Sequence, residues 1–221
     1  MAIYVVGSSK NLFPELDSNR IKYVVDTTHE GDNIDAKNPW YCETTALYYM
    51  WKNSDAKYVG LEHYRRFFTS VGHPMRRMSS DEAASHLDTH QIIVTEYSHG
   101  PRYCAYTWFK DAGKFNDLLA FMKVNSDIAG SMQEYLRKHT LIQCNMFIGR
   151  KEVIDEYCAW LFPRLEKFDE AVGLNPGNYR IDGYLAEHIF GMWLEVNKVD
   201  MLKVPKVEMH YTLATGHPIK Y

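Results

Sequence analysis

Short apolar runs alternate with longer segments of helical periodicity along this chain. Five apolar runs rich in β-branched and aromatic residues predict strands, at residues 3–6, 21–25, 58–61, 91–96 and 144–148. Apolar positions at helical spacing predict six helices, at residues 40–53, 79–90, 106–124, 126–139, 152–168 and 180–196. The alternation, with a further short strand expected after residue 200, predicts a single α/β domain over residues 1–221.

Local residue choices refine these boundaries. Asn38 suits the N-cap of the first helix, and Pro39 suits its first turn. Ser79 followed by Glu82 predicts a capping box at the start of the helix over residues 79–90. Pro163 should kink the helix over residues 152–168. Residues 72–78, with two arginines, are expected to form a basic loop.

The run at residues 58–68 changes character abruptly. Its apolar strand is followed by five polar residues: Glu62, His63, Tyr64, Arg65 and Arg66. Strands of an α/β sheet present ligand sites at their carboxyl ends. Adjacent guanidinium groups bind phosphate oxygens in a bidentate manner, so the pair suits a phosphate or diphosphate. The alternative is a strand that runs into an ordinary solvated turn. The presence of an acid, an imidazole and a phenol in the same run favours a ligand-binding site.

Composition narrows the function classes. Hydrophobic residues make up 46% and charged residues 24%, as in ordinary globular proteins, and the net charge is −3. Because the chain has no net positive charge that would attract nucleic acid, we expect no nucleic-acid partner. The four cysteines form no CxxC pair and are expected to be free buried thiols in a reducing compartment. We expect no signal peptide and no membrane span, hence a cytoplasmic protein, with peripheral membrane contact left open.

Two polar loops carry further candidate ligand contacts. Gly7, Ser8 and Lys10 follow the first strand, where small residues let a nucleotide approach the backbone, although the phosphate-loop pattern is absent. A plain turn is the alternative. Asp32 and Asn33 lie in the polar loop at residues 27–38 and could hold ribose or sugar hydroxyls.

Single polar residues near helix or strand ends are the remaining candidates. Glu43 either complements a helix dipole or binds a sugar hydroxyl. Asn145 sits in an apolar strand and either ties down backbone or presents its amide to a ligand. His99 follows the end of a strand. Asp182 and Glu187 lie near the start of the last helix; they are candidate general bases or, alternatively, packing carboxylates.

Four sequence blocks resemble the DUF4422 group of bacterial glycosyltransferases. The first two are residues 38–53, Asn-Pro-Trp-Tyr-Cys-Glu-Thr-Thr-Ala-Leu-Tyr-Tyr-Met-Trp-Lys-Asn, and residues 58–68, Tyr-Val-Gly-Leu-Glu-His-Tyr-Arg-Arg-Phe-Phe. The middle block combines residues 144–148 with 157–162, and the last combines residues 183–190 with 193–194. Together they cover most of the chain in order.

The resemblance implies a GT-A-like (Rossmann-like) nucleotide-sugar transferase with a mixed central sheet flanked by helices. It implies capsule, exopolysaccharide or O-antigen assembly at the inner face of the membrane. The donor would be a UDP-sugar, with galactose in pyranose or furanose form as one candidate, and the acceptor a glycan or lipid-linked glycan. The implied donor-binding residues are Gly7, Ser8, Lys10, Asp32, Asn33, Glu43, His63, Tyr64, Arg65 and Arg66. Asn145 and His99 are assigned to the acceptor, Glu187 is the first choice of base and Asp182 the second.

The chain also departs from the family pattern. Glu62 stands where a small residue or Cys is more frequent, and His188 stands where Arg is frequent. No Asp-x-Asp motif, the usual GT-A metal marker, occurs. Two alternatives carry equal weight: Glu62 and His63 bind Mn²⁺ or Mg²⁺, or Arg65 and Arg66 replace the metal. A non-catalytic sugar-binding, nucleotide-binding or assembly module is the competing function; a phosphoesterase ranks low.

Overall fold

The computed structural model describes residues 1–100, 103–142, 144–211 and 218–219. Its strands are β1 (Ala2–Gly7), β2 (Arg20–Val24), β3 (Tyr58–His63), β4 (Arg66–Ser70), β5 (His73–Arg77), β6 (Ile92–Thr95), β7 (Ser98–His99), β8 (Thr140–Leu141), β9 (Phe147–Arg150), β10 (Met201–Val204), β11 (Lys206–Glu208), β12 (His210–Tyr211) and β13 (Pro218–Ile219). Its helices are α1 (Asn38–Tyr41), α2 (Thr44–Asn53), α3 (Ser80–Leu87), α4 (Ala105–Asp111), α5 (Phe115–Val124), α6 (Ala129–Leu136), α7 (Lys151–Val172) and α8 (Ile181–Val196). None of the described helices is long and apolar enough to cross a membrane.

One mixed sheet organises the fold. Its main path has the strand order β10-β6-β9-β3-β1-β2. β1 runs parallel to β2 and β3, β10 runs parallel to β6, and β9 runs antiparallel to its neighbours β3 and β6. The carboxyl ends of the parallel strands and the amino end of β9 therefore meet at one edge, where open α/β sheets bind ligands.

A branch of three strands leaves this path beside β3. The chain turns at Tyr64 and Arg65, so His63 of β3 pairs with Arg66 of β4. β5 and β11 then pair with β4 in antiparallel register. The polar run at residues 62–66 thus ends β3, turns at Tyr64 and Arg65 and begins β4 at the ligand-binding edge of the sheet.

Side chains alternate between two cores, one on each face of the sheet. Tyr4 and Val6 of β1 and Leu61 of β3 pack under the larger layer, which contains α2, α7 and α8. Ile3 and Tyr58 face the opposite side and pack in the cluster that includes α3. This period-two alternation means that neighbouring residues of one strand serve different faces.

The predicted strands and the major helices are present, with shifted ends. The Ser79 hydroxyl accepts a hydrogen bond from the Glu82 amide at 3.2 Å, which confirms the predicted helix start. Asn38 is the first residue of α1 and not its N-cap, because Lys37 occupies that position. The predicted basic loop at residues 72–78 is wrong: residues 73–77 form β5, since β4 offers them a pairing edge.

Three predicted elements are interrupted by left-handed backbone. The helix over residues 40–53 is broken at Cys42, which has φ 51°, so α1 and α2 are separate. Gly113, with φ 69°, divides the predicted helix over residues 106–124 into α4 and α5. Cys144 and Asn145, with φ 75° and 48°, precede β9, which starts only at Phe147. Two of these breaks lie at the ligand-binding edge of the sheet.

Candidate functional site

Two adjoining pockets lie at the carboxyl edge of the sheet. The first has a volume of about 350 Å³ and is lined by Val6, Gly7, Ser8, Asn11, Val25, Asn38, Pro39, Cys42, Glu43, His63, Tyr64 and Arg180. The second has a volume of about 490 Å³ and is lined by Glu43, His63, Tyr64, Arg65, Arg66, Cys144, Arg180, Glu187, Lys206 and Glu208. The residues common to both are Glu43, His63, Tyr64 and Arg180. The pockets therefore form one cleft whose second half carries most of the charge.

The first pocket has a tightly packed wall at the end of β1, where a side chain on Gly7 would crowd its neighbours. A Cβ on Gly7 would lie 2.8 Å from the Phe13 ring and 3.1 Å from the Cβ of Tyr64. The chain then turns as the Ser8 amide donates a hydrogen bond to Asn11 Oδ1 at 2.6 Å. The Tyr64 amide donates to the Val6 carbonyl at 2.8 Å, which holds the β3–β4 turn against this wall.

Glu43 is fixed at the boundary of the two pockets by a distant residue. The break at Cys42 places Glu43 at the N-cap of α2. Asn145 Nδ2 donates to Glu43 Oε1 at 2.9 Å and to the Gly183 carbonyl at 3.3 Å. Two roles were open for Asn145, backbone anchor or ligand contact. Its amide anchors the Gly183 carbonyl and also orients a pocket carboxylate.

The backbone of Cys144 connects the predicted imidazole to the predicted base. His63 Nε2 lies 2.6 Å from the Cys144 carbonyl oxygen, which can only accept a hydrogen bond, so Nε2 carries a hydrogen and donates it. The Cys144 amide donates to Glu187 Oε1 at 2.8 Å. Left-handed backbone at non-glycine residues is disfavoured and is typically retained at functional sites. Here it lets one peptide segment hold two pocket side chains.

Glu187 has the electrostatic character expected of a general base. Burial, and next the nearby Glu43 carboxylate, raise the pKa of Glu187 above its ordinary value. The hydrogen bond from the Cys144 amide and the positive charge of Arg66 oppose that shift. A carboxylate with a raised pKa accepts a proton more readily than an exposed one.

The two predicted arginines lie in the second pocket and share one carboxylate. Arg65 Nε is 3.2 Å and an Arg66 terminal nitrogen 3.3 Å from Glu208 Oε1. Glu208 comes from β11, which pairs with β4. Together with Lys206, the arginines make the second pocket a place where anionic oxygens can be bound.

Asp182, the second choice of base, lies outside both pockets. It is fully buried with the carboxylate of Asp169, which Tyr41 and Lys37 contact at 2.8 and 3.0 Å. Burial and the Asp169 charge raise the pKa of Asp182 to about 8. At neutral pH Asp182 is therefore largely protonated. This is an internal packing arrangement, which corrects the catalytic assignment.

Four further predicted site residues, like Asn145 and Glu62, do not line either pocket. Lys10 and His99 are exposed, and His99 belongs to the two-stranded ribbon of β7 with β8. Asp32 accepts a hydrogen bond from the Tyr48 hydroxyl at 3.1 Å. Asn33 donates to the His29 and Gly31 carbonyls. Asn33 thus holds the loop at residues 27–38 together and Asp32 holds it against α2, which removes the reason to assign them to sugar hydroxyls.

Glu62 and His63 do not form the predicted metal pair. Adjacent residues of a strand point to opposite faces, and the Glu62 side chain is fully buried on the α3 side. Arg20 Nε donates to it at 2.8 Å and Arg77 lies at 3.4 Å. Across the described part of the chain, no group of three or more His, Cys, Asp and Glu side chains is arranged to hold a metal ion.

Sequence reasoning overlooked several pocket residues. Arg180 is the N-cap of α8, with left-handed φ 65°. Lys206 and Glu208 lie on β11, and Asn11 closes the turn after β1. Cys144 also lines the second pocket, where burial raises its thiol pKa to about 11, so it is not a thiolate nucleophile at neutral pH. Only Arg180, which follows a Gly/Pro/Asn loop and precedes a helix, carried a local signal.

One family of known proteins matches most of this chain. The sequence profile described as "Domain of unknown function (DUF4422)" matches residues 2–198. The chain belongs to the DUF4422 family. This confirms the family resemblance, and the match spans every element that lines the two pockets except β11. A search of curated protein sequences gave no significant match.

Among solved structures, the DUF4422 chain is similar to the apo structure of the bifunctional glycosyltransferase WbbM. The TM-score is 0.75 with 19% sequence identity, over 94% of this chain and 45% of that chain. The chain thus spans less than half the length of the protein it matches. The predicted fold class, an α/β fold with a mixed central sheet flanked by helices, is confirmed.

Proposed function

We propose that this DUF4422 protein is a glycosyltransferase that moves a sugar from a nucleoside diphosphate donor to a hydroxyl acceptor. One observation carries the proposal: a cleft at the ligand-binding edge of a GT-A-like sheet combines arginines with a carboxylate of raised pKa. Transfer of a glycosyl group needs both, because negative charge develops on the leaving diphosphate and a proton leaves the acceptor.

The nucleotide of the donor belongs in the first pocket in this proposal. The turn from Gly7 to Asn11 offers backbone and small side chains, and Val25 and Pro39 supply apolar contacts. The diphosphate then lies at the boundary of the two pockets, the sugar lies beyond it in the second pocket beside Glu43, and the acceptor also enters through the second pocket. Asn145 acts on the sugar side through Glu43, since its amide hydrogen bonds to that carboxylate.

In the reaction we propose, the acceptor oxygen attacks the anomeric carbon of the sugar. The new carbon–oxygen bond forms as the bond to the donor phosphate breaks, and the nucleoside diphosphate leaves with its electron pair. Glu187 takes the acceptor proton. Arg65 and Arg66 face the second pocket, where their charges stabilise the leaving diphosphate. This direct displacement inverts the anomeric centre.

The finer parts of the proposal rest on the family resemblance. We propose a UDP-sugar, with galactose in pyranose or furanose form as the first candidate, as the donor. The acceptor would be a glycan or lipid-linked glycan of capsule, exopolysaccharide or O-antigen assembly. The protein would act in the cytoplasm at the inner face of the membrane.

Metal dependence is a separate part of the proposal. Glu62 is sealed in an ion-pair cluster, so the Glu62–His63 metal site does not fit the residues present. We therefore assign charge stabilisation of the leaving group to protein cations, and no step of the reaction above uses a metal. Adding Mn²⁺ or EDTA to the same assay tests this assignment.

Calorimetric titration with a panel of nucleotide-sugars, each with Mn²⁺ and again with EDTA, is the first test. We expect one UDP-sugar to bind in both conditions and to be consumed only when an acceptor is added. Binding without turnover in the presence of glycan acceptors would instead indicate a non-catalytic module. Acceptor-independent release of UDP would indicate a hydrolase.

A further inference from the structure

We propose that Arg180 binds the diphosphate of the donor at the boundary between the two pockets. The inference rests on the proposed function, because it requires a donor that spans the cleft. A nucleoside diphosphate sugar has its diphosphate between nucleoside and sugar. If the nucleoside fills the first pocket, the diphosphate lies at the boundary, where a permanent positive charge is needed.

Arg180 lies at the boundary between the two pockets. Of the residues that line both pockets, Glu43, His63, Tyr64 and Arg180, only Arg180 carries a permanent positive charge. Arg65 and Arg66 line the second pocket alone. They can reach the diphosphate from the second pocket, whereas Arg180 can also contact it from the first pocket.

The electrostatic state of Arg180 also differs from that of the arginine pair. Arg65 and Arg66 both contact Glu208, which neutralises part of their charge. Within the described part of the chain, no carboxylate lies within ion-pair distance of Arg180; its guanidinium carbon is 5.3 Å from the Tyr184 ring centre. An exposed cation on a pocket wall is a ready partner for a dianionic ligand.

The backbone holds Arg180 in place despite an unfavourable conformation. Its φ of 65° and ψ of 5° lie in the left-handed region, which Gly and Asn adopt far more readily than Arg. The Arg180 amide donates to the Pro39 carbonyl at 2.9 Å, and its carbonyl accepts from the Tyr184 amide at 3.1 Å. Non-glycine residues with such backbone cluster at functional sites, which supports a role for the Arg180 side chain.

The test compares Arg180→Asn and Arg180→Lys with the native protein. Asparagine removes the charge yet accepts left-handed backbone, so the fold is expected to persist; thermal unfolding of each variant checks this. Arg137→Asn is the matched control, because Arg137 is exposed, lies 5.6 Å from the Tyr106 ring and lines neither pocket. Binding of UDP, GDP and ADP and of the corresponding nucleosides is measured by calorimetry.

We expect Arg180→Asn to weaken binding of the preferred nucleoside diphosphate by roughly tenfold to a hundredfold, the effect of one charge-assisted hydrogen bond or bidentate pair. Nucleoside affinity should change less than about twofold, Arg180→Lys should fall between, and Arg137→Asn should match the native protein. Equal loss for diphosphate and nucleoside, or no loss for either, would overturn the role of Arg180 while leaving the proposed function intact. Failure of the native protein to bind any of the panel would overturn both.

Discussion

Two consecutive residues of β3, Glu62 and His63, belong to chemically opposite regions of the molecule. Glu62 lies in a closed cluster with Arg20 and Arg77 on the α3 side, where both side chains of the central pair are fully buried. His63 lies on the open side, lines both pockets and donates to the Cys144 carbonyl. Polar residues in one short run therefore divide between holding the fold and forming the site.

The closed cluster and the cleft differ in the partners of their charged groups. In the closed cluster every charge is matched within the protein: Arg20 contacts Glu62, Asp17 and the Met78 carbonyl. In the cleft, Glu187 has one backbone donor and Arg180 has no described ion-pair partner. A closed cluster contributes stability and leaves no capacity to bind; an open set costs stability and is available for a ligand.

The largest effect should follow from Glu187→Gln on the open side. Loss of the general base should reduce kcat for transfer by about 10²- to 10⁴-fold, with donor affinity nearly unchanged. Initial rates and donor calorimetry measure the two quantities separately. Glu195→Gln is the control, since Glu195 is on the same helix and contacts Lys138 and Tyr97 instead of the cleft. A variant that retains full kcat would remove Glu187 as the base.

The next effect concerns the closed side. Glu62→Gln removes one charge of a buried pair and leaves the Arg20 charge poorly compensated, which should lower the free energy of unfolding by about 3 kcal/mol. Urea denaturation with an unchanged m-value measures it. Asp127→Asn breaks a surface pair with Arg164 and should cost less than about 1 kcal/mol. Similar losses in both variants would mean that the buried Glu62 pair contributes no more to stability than a surface pair.

A smaller effect is expected for Arg65 in the cleft. Arg65→Ala should weaken donor binding about tenfold and leave stability within about 0.5 kcal/mol, because the Arg65 side chain is partly exposed. Calorimetry with the preferred nucleotide-sugar and a thermal melt provide the two readouts. Arg76→Ala is the control, because Arg76 is exposed, pairs with Glu82 and lies away from both pockets. Unchanged donor affinity and rate would contradict the assignment of Arg65 to the diphosphate.

The remaining prediction concerns a slope and not a single loss, namely the contribution of Asp182 to the pH dependence of stability. Its pKa is about 8 in the folded protein and near 4 when unfolded, so between these values the folded state binds one more proton than the unfolded state. Stability should therefore fall as pH rises from about 4 to 8, by at most about 1.4 kcal/mol per pH unit from this residue. Asp182→Asn should flatten that decline between pH 5 and 8 in urea denaturation. The same slope in both proteins would show that Asp182 ionises normally.

Much of the architecture could be predicted from local sequence. The apolar runs of β1, β3 and β6 and the periodic α7 and α8 were located correctly, because burial on both faces or on one helical face requires those patterns. The polar run after β3 was also correctly placed at the carboxyl edge of the sheet. Elements interrupted by left-handed residues such as Cys42 were predicted less well, since Cys has no preference for that backbone.

The site was only partly predictable. Gly7, Glu43, His63 and Glu187 reach the cleft as expected. Glu62, however, was placed in the site by its proximity to His63, although the alternation of a strand sends it to the other face. Asp182 was grouped with Glu187 because both lie early in α8, yet it is buried against Asp169 and lines neither pocket.

The sequence alone determined the alternation of strands and helices, the family and the position of a charged turn at the end of β3. Only the tertiary structure decided which charges remain available. Asn145 orients Glu43 across 102 residues, Cys144 contacts Glu187 across 43, and Arg20 seals Glu62 across 42. The physical reason is that the environment of an ionisable group depends on burial and on its partners, and both are supplied by segments far away along the chain.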